Sequence, residues 1–403
     1  MKSRLIGVLT ILALSISATA VYVNANANAA VKVGAKCKVV GQTKIKKQKE
    51  FICITKGKKL VWVRDNAIPS PSPSVASEII AAPSNFSDLY EKREGISTSA
   101  WMKVNSKLSS NVQLPPIEVY RGPNTPIYVK DPSEYFKFVA QVFSGKALPK
   151  KIVVFYWNNQ DMSIVSAKAL SVMGTENDQL QTAITTGPFV GCQNHPTNCD
   201  VGHAFIGVDG NAYLGLGIPD TLAQVIYAPG IGGGEVIEFY HSLNLLPYHL
   251  NSLSVIAQKQ NIKSPNSPPF WMNQGGEGLM ALLLASKNNL NGFTRMTGRK
   301  WWVDQNIPNF GPEWINNYLN IANLGNNWSD SSGATRKPHQ IMGNYLVEIF
   351  VALKGPSVML DFHEQMAQKK SFDIIFQDIF GTTWNDAKPE LVKVIYDRYL
   401  YNY

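Results

Sequence analysis

Strand-forming and helix-forming patterns are segregated along this chain, and that order constrains its fold more than any other feature. Short β-branched and aromatic runs come first: Ile117-Glu118-Val119-Tyr120, Ile127-Tyr128-Val129 and Ile152-Val153-Val154-Phe155-Tyr156. Ala204–Val208 and Ala212–Leu216 follow, on either side of Asp209-Gly210, the signature of a β-hairpin. Helical periodicity lies between these runs at Ser133–Phe143 and Met162–Val172. From Gly234 onward it takes over, at Glu235–Leu246, Asn273–Ser286, Pro312–Ile321, Gln340–Leu353, Val358–Gln368, Phe372–Phe380 and Pro389–Tyr401. Such an order predicts an α+β body over residues 85–403, with a mixed-sheet lobe over 85–230 and a mainly helical lobe over 231–403.

The body is preceded by a different kind of sequence. Ile68-Pro69-Ser70-Pro71-Ser72-Pro73-Ser74 cannot pack and reads as an extended linker, giving a boundary segment over 67–84. Residues 31–66 hold short β-type runs, Lys38–Gly41, Phe51–Ile54 and Leu60–Val63, between Lys- and Gly-rich turns, and read as a small basic β module. Charge separates the two parts sharply. Of 38 Lys/Arg and 29 Asp/Glu, residues 1–65 contain 13 and 2, so the rest of the chain carries a slight negative excess. The body therefore has no field with which to hold a polyanion, which argues against a dedicated nucleic-acid-binding protein.

Lys2 and Arg4 precede an apolar run from Leu5 to Val23, and Asn24 to Ala30 supplies Ala-x-Ala cleavage sites. Residues 1–30 thus read as an export signal, with an uncleaved signal anchor as the one route to a membrane. The expected location is extracellular or cell-wall associated, where paired thiols persist as disulfides. Cys37 and Cys53 would then staple the small module, and Cys192 and Cys199 would close a turn-rich loop around His195. A metal reading of Cys192, His195 and Cys199 is open, although their spacing follows no zinc-finger or zinc-ribbon pattern. The basic module is expected either to be a solvated spacer or to attach electrostatically to anionic wall polymers or lipid head groups.

The stretch richest in chemistry begins at Gly232-Gly233-Gly234-Glu235-Val236-Ile237-Glu238-Phe239-Tyr240-His241 and continues at Trp271-Met272-Asn273-Gln274-Gly275-Gly276-Glu277-Gly278. In this order, after a sheet hairpin, the pair resembles the two metal-bearing helices of the gluzincin zinc metallopeptidases. There a His-Glu-x-x-His helix supplies two ligands and the general base, because residues i and i+4 share a helix face. A Glu on the following helix supplies the third ligand. The resemblance places Glu238 at the general-base position and His241 at the second His. Ile237 stands where the first His belongs, and Gln274 where the third-ligand Glu belongs. Catalytic zinc keeps three protein ligands, so two altered positions imply the fold without the usual metal. Gly343–Glu348, Lys354-Gly355 and Ser371 through Trp384 extend the likeness to the helical lobe of secreted bacterial gluzincin-like proteins, over roughly Pro115–Tyr403.

Other chemistries have less support. A metal site rebuilt from Glu238, His241 and Glu277, with Glu235 or His249 nearby, requires groups that step around a helix rather than converge. Gly230–Gly234 before a helix invites a phosphate cradle, but Glu235 would sit beside the anion and no Lys-Ser/Thr follows, so close packing of the helix entry is the better expectation. Gly-x-Ser-x-Gly is absent. Trp301, Trp302 and Trp314 suit either a groove or the core.

The expected protein is an exported, envelope-associated and degenerate metallopeptidase-like molecule that binds a peptide or wall component without zinc-dependent hydrolysis. Glu238, Gln274, Glu277, Tyr240 and a vestigial ligand, His241, would floor its cleft, with an edge strand near Ala212–Leu216 pairing with the ligand. No cofactor is expected. One alternative is an active metallopeptidase with an atypical zinc-ligand set and Glu238 as base; another is a purely structural envelope protein.

Overall fold

A computed structural model of the chain describes residues 32–36, 43–46, 49–56, 59–64, 81–174, 201–219, 232–253, 268–297, 311–321 and 333–401. It divides into two compact units, Met1–Glu78 and Ile79–Tyr403. The first contains an antiparallel meander of β1 (Thr43–Lys46), β2 (Lys49–Lys56) and β3 (Lys59–Arg64). Residues 34–36 run along the outer side of β3: Gly34 donates to the Trp62 carbonyl, and the Trp62 amide donates to Ala35. Trp62 is thereby buried. The expected run at Lys38–Gly41 and the Cys37, Cys192 and Cys199 positions lie outside the described residues. Of Cys53 only the backbone is described, paired with Trp62.

The second unit is mixed α and β and mostly helical. Its sheet has the order β4 (Ile117–Arg121), β5 (Ile152–Trp157), β7 (Ala212–Gly217), β6 (Val201–Ile206). The first three are parallel, and β6 runs antiparallel to β7. Parallel neighbours require a crossover, and α2 (Ser133–Val142) supplies the one between β4 and β5. Every residue of β5 and β7 is buried, as befits strands covered on both faces. Side chains therefore alternate between two cores. Ile152, Val154 and Tyr156 face the main core, whereas Val153, Phe155 and Trp157 pack with Val165, Ala169 and Met173 of α3 (Met162–Met173).

Two expectations about strands are corrected. Ile127–Val129 is not a strand: the Arg121 guanidinium donates to the Pro126 and Val129 carbonyls, which commits them to a side chain instead of a ladder. The strand at Ala212–Leu216 is not an edge, since β7 is paired on both sides. The hairpin turn itself is as expected. Gly210 has a φ of +80° and its amide donates to the Gly207 carbonyl, so the αL residue that closes the turn is the one without a Cβ.

The helices after the sheet are α4 (Gly233–Leu250), α5 (Phe270–Ala285), α6 (Leu290–Thr297), α7 (Pro312–Ile321), α8 (Gly333–Lys354), α9 (Val358–Ala367), α10 (Phe372–Phe380) and α11 (Trp384–Val394), with a π-helical turn over Ile395–Tyr401. Helices α5 and α8 come so close that a Cβ on Gly275 would overlap the Gly343 carbonyl, and one on Gly343 the Trp271 carbonyl. An aromatic cluster follows from this approach. Trp271 stands edge-on to Phe350 and stacks at 6.3 Å on Trp384, while Phe372 and Phe376 meet Trp384 edge-on. The earlier α1 (Ile96–Asn105) joins this lobe too: Ser99 donates to the Ala352 carbonyl at 2.8 Å. Beside it, Ser97 donates to Glu348 and accepts from Arg398 at 2.5 Å, and Glu348 and Arg398 lie 3.9 Å apart, all three buried. Among the described residues no helix is long and apolar enough to cross a membrane.

Candidate functional site

Helix α4 starts where the sequence places its glycines. Gly232 takes a left-handed φ of +99° and has the Tyr135 ring against it where a Cβ would stand. The Glu235 carboxylate accepts from the Gly232 amide at 3.0 Å and from the Tyr156 hydroxyl at 3.1 Å. Burial, reinforced by the Glu235 charge, pushes the Tyr156 phenol well above its ordinary range. Tyr135, also part-buried and near Glu134 and Glu235, is raised to about 12. Here the helix start is already occupied by a carboxylate. Close packing of the entry is therefore the observed use of the glycines, and Glu235 is a cap.

One turn on, α4 presents Glu238 and His241, and α5 presents Gln274 and Glu277. The structure brings His241, Gln274 and Glu277 together, and it sets Glu238 against the sheet. The Gln274 amide donates to Glu277 Oε2 at 2.9 Å, and His241 Nε2 lies 3.5 Å from the same oxygen. Both His241 and Glu277 reach solvent, at 16% and 20% side-chain exposure. Gln274 and Glu238 are more enclosed, at 8% and 5%. Glu238 lies directly against β6, where a Cβ on Gly202 would overlap its carboxylate. That residue was not anticipated, although a glycine inside a strand is the usual mark of a close approach. Strand β6 is the outermost strand of the sheet among the described residues, and the Glu238 carboxylate lies against it.

Tyr240 is placed elsewhere. It is fully buried, stacks on Phe143 at 5.7 Å, and sets its hydroxyl where Gly276 would carry a Cβ. Burial raises its phenol above the ordinary range, with the neighbouring Asn244 side chain pulling the other way. It supports the site from within the core. Behind the site is a second unanticipated residue, His363 of α9, which is 2% exposed and edge-on to Tyr248 at 6.1 Å. Burial first, and then the proximity of His241, hold its imidazole down to about 3, so it remains neutral. No local pattern in the sequence signals it, since it lies far from α4 in the chain.

The residues present do not suit a catalytic zinc. Ile237 is a buried hydrocarbon where the resemblance would put one ligand, and Gln274, where it would put another, is a neutral amide whose nitrogen donates to Glu277. Among the described residues no three His, Cys, Asp or Glu side chains are grouped to hold an ion. What the arrangement offers is a partly exposed set of donors and acceptors, imidazole, amide and carboxylate. Comparison with protein-family models, with curated proteins and with solved structures finds no match.

Proposed function

We propose that this is an exported, envelope-associated protein whose body is a gluzincin-like scaffold with a degenerate metal site, and that its cleft binds an extended peptide or wall component without zinc-dependent hydrolysis. The observation that carries the reading is Glu277, one oxygen of which meets both the Gln274 amide and the His241 imidazole, together with a buried hydrocarbon at Ile237. A carboxylate met by an amide and an imidazole in this way is a hydrogen-bonding element. The peptide would lie along the outer side of β6, with the His241–Gln274–Glu277 set supplying hydrogen bonds that fix its register. This replaces the edge expected at Ala212–Leu216. The partial exposure of His241 and Glu277 weighs against a purely structural protein with its cleft packed shut.

The 3.5 Å approach of His241 to Glu277 favours a second reading, a metallopeptidase with those two as ligands and Glu238 as general base. It requires chelator-sensitive hydrolysis that Glu238→Gln abolishes. The binding reading is tested by fluorescence anisotropy with a pool of random nonapeptides. Saturable binding weakened about tenfold by Gln274→Ala with Glu277→Ala is the expected result, equivalent to about 1.4 kcal/mol. Binding indifferent to both substitutions would refute the assignment of the cleft.

A further inference from the structure

We infer that Tyr240, Asn244 and Tyr248 of α4 and His363 of α9 line a buried hydration site, whose ligand is a small neutral molecule that both donates and accepts hydrogen bonds, namely water. The inference stands apart from export and from the peptide-binding reading. Its basis is a group of enclosed polar atoms. Each of the four residues is at most 2% exposed. Yet the hydroxyls of Tyr240 and Tyr248, the oxygen and nitrogen of the Asn244 amide and both ring nitrogens of His363 have no hydrogen-bond partner among the described residues. Native interiors leave roughly a few such groups per hundred residues, whereas here four residues hold six of these atoms.

The four residues belong to one place. Positions four apart share a helix face, with Cβ atoms about 5–6 Å apart, so Tyr240, Asn244 and Tyr248 form a stripe along α4. Asn244 adjoins the Tyr240 hydroxyl, although not at hydrogen-bonding geometry. Further along, His363 stands edge-on to Tyr248, with ring centroids 6.1 Å apart. It is also near His241, about one turn before Asn244, so it faces the part of α4 that carries the Asn244 amide.

The chemistry of the group selects its ligand. His363 is neutral, so one ring nitrogen donates and the other accepts. An N–H···π contact with the Tyr248 ring would serve the donor alone. The Asn244 amide likewise has both a donor and an acceptor. An anion would leave the acceptor nitrogen of His363 and the Asn244 oxygen unmet, and a cation would face the N–H groups. Water meets both kinds. Internal waters make about three hydrogen bonds each, so about two of them would serve the group.

The test uses the full-length chain. A high-resolution crystal structure is expected to show ordered water within about 2.7–3.2 Å of a His363 nitrogen and of the Asn244 amide. Tyr248→Phe deletes one hydroxyl and leaves the ring, and melting curves read its effect. Loss of a hydroxyl bonded to water should lower the melting temperature by about 2 °C, because a hydrogen bond is lost and the water keeps fewer partners. Loss of a hydroxyl enclosed without any partner should raise it, so the sign separates the two cases. Tyr240→Phe repeats the measurement further along the stripe and keeps the test decisive if the first variant fails to fold. A dry site, a protein side chain or an ion bonded to the His363 nitrogens, or an unchanged or raised melting temperature in a variant that folds overturns the inference.

Discussion

The helical lobe contains two buried polar groups that are built on opposite principles. Beside α1 and α8, the Glu348 carboxylate meets the Ser97 hydroxyl and the Arg398 guanidinium, so charge is matched by charge. Between α4 and α9, His363 is enclosed as a neutral ring edge-on to Tyr248, close enough to His241 to feel its charge. The first group links the start of the second unit to its C-terminal turn. The second lies near His241. The difference teaches that burial of a polar group in this lobe does not by itself mark function: one group is held by matched charge, whereas the other is kept neutral by its burial.

The comparison is tested first where the effect is largest. Glu348→Leu leaves the Arg398 charge buried without its carboxylate and should lower the unfolding free energy by about 3–5 kcal/mol, measured by denaturant titration. Most of that loss should return when Arg398→Met is added, because the penalty belongs to the unmatched charge. A loss below about 1 kcal/mol for the single variant would mean that the network is not structural.

His363 gives a smaller, pH-dependent effect. Its folded pKa of about 3 lies below the ordinary 6.5, so between those values the unfolded chain binds a proton that the native state refuses. Native stability is therefore complete above about pH 6.5 and falls as pH drops towards 3, by roughly 2 kcal/mol already at pH 5. The groups it faces on α4 are His241 and Tyr248, and His363→Phe should remove the pH 5 to 7 part of the slope while leaving any steeper loss from carboxylates below pH 4. An unchanged slope would show that His363 protonates without unfolding the protein.

The smallest effect belongs to the cleft. A partly exposed pair such as His241 and Glu277 contributes about 1 kcal/mol or less, so a double-mutant cycle with His241→Ala and Glu277→Ala should give a coupling no larger than that. A coupling above about 2 kcal/mol would make the pair a stability element like Glu348 and Arg398, and the contrast would collapse.

Much of this fold was legible in residue pattern, and the failures are specific. The Asp209-Gly210 hairpin and helices α2, α3, α7, α9 and α10 follow directly from turn chemistry and apolar periodicity, whereas α8 begins at Gly333, ahead of the expected Gln340. Helix α1 was not anticipated: Ser97 and Ser99 interrupt its apolar face and are buried only because Glu348 and the Ala352 carbonyl receive them. Ile127–Val129 has strand composition but loses its ladder to Arg121, a competition no local pattern reveals. At the site, Glu238, His241, Gln274 and Glu277 were singled out by the resemblance to two helices of a known family, and the structure brings the last three together. Tyr240, one position from His241, points into the core because neighbouring helical residues lie about 100° apart. Gly202 and His363 reach the site only through tertiary contacts.

The central claim is that the cleft binds without zinc, and the direct measurement is the metal content of the purified full-length protein by elemental analysis after mild dialysis, beside the Ile237→His, Gln274→Glu variant. The account predicts substoichiometric zinc in the native protein and a gain towards one ion per chain in the variant, where two imidazoles and a carboxylate are restored. Zinc near one per chain in the native protein, lost on substitution of His241 or Glu277, would contradict it.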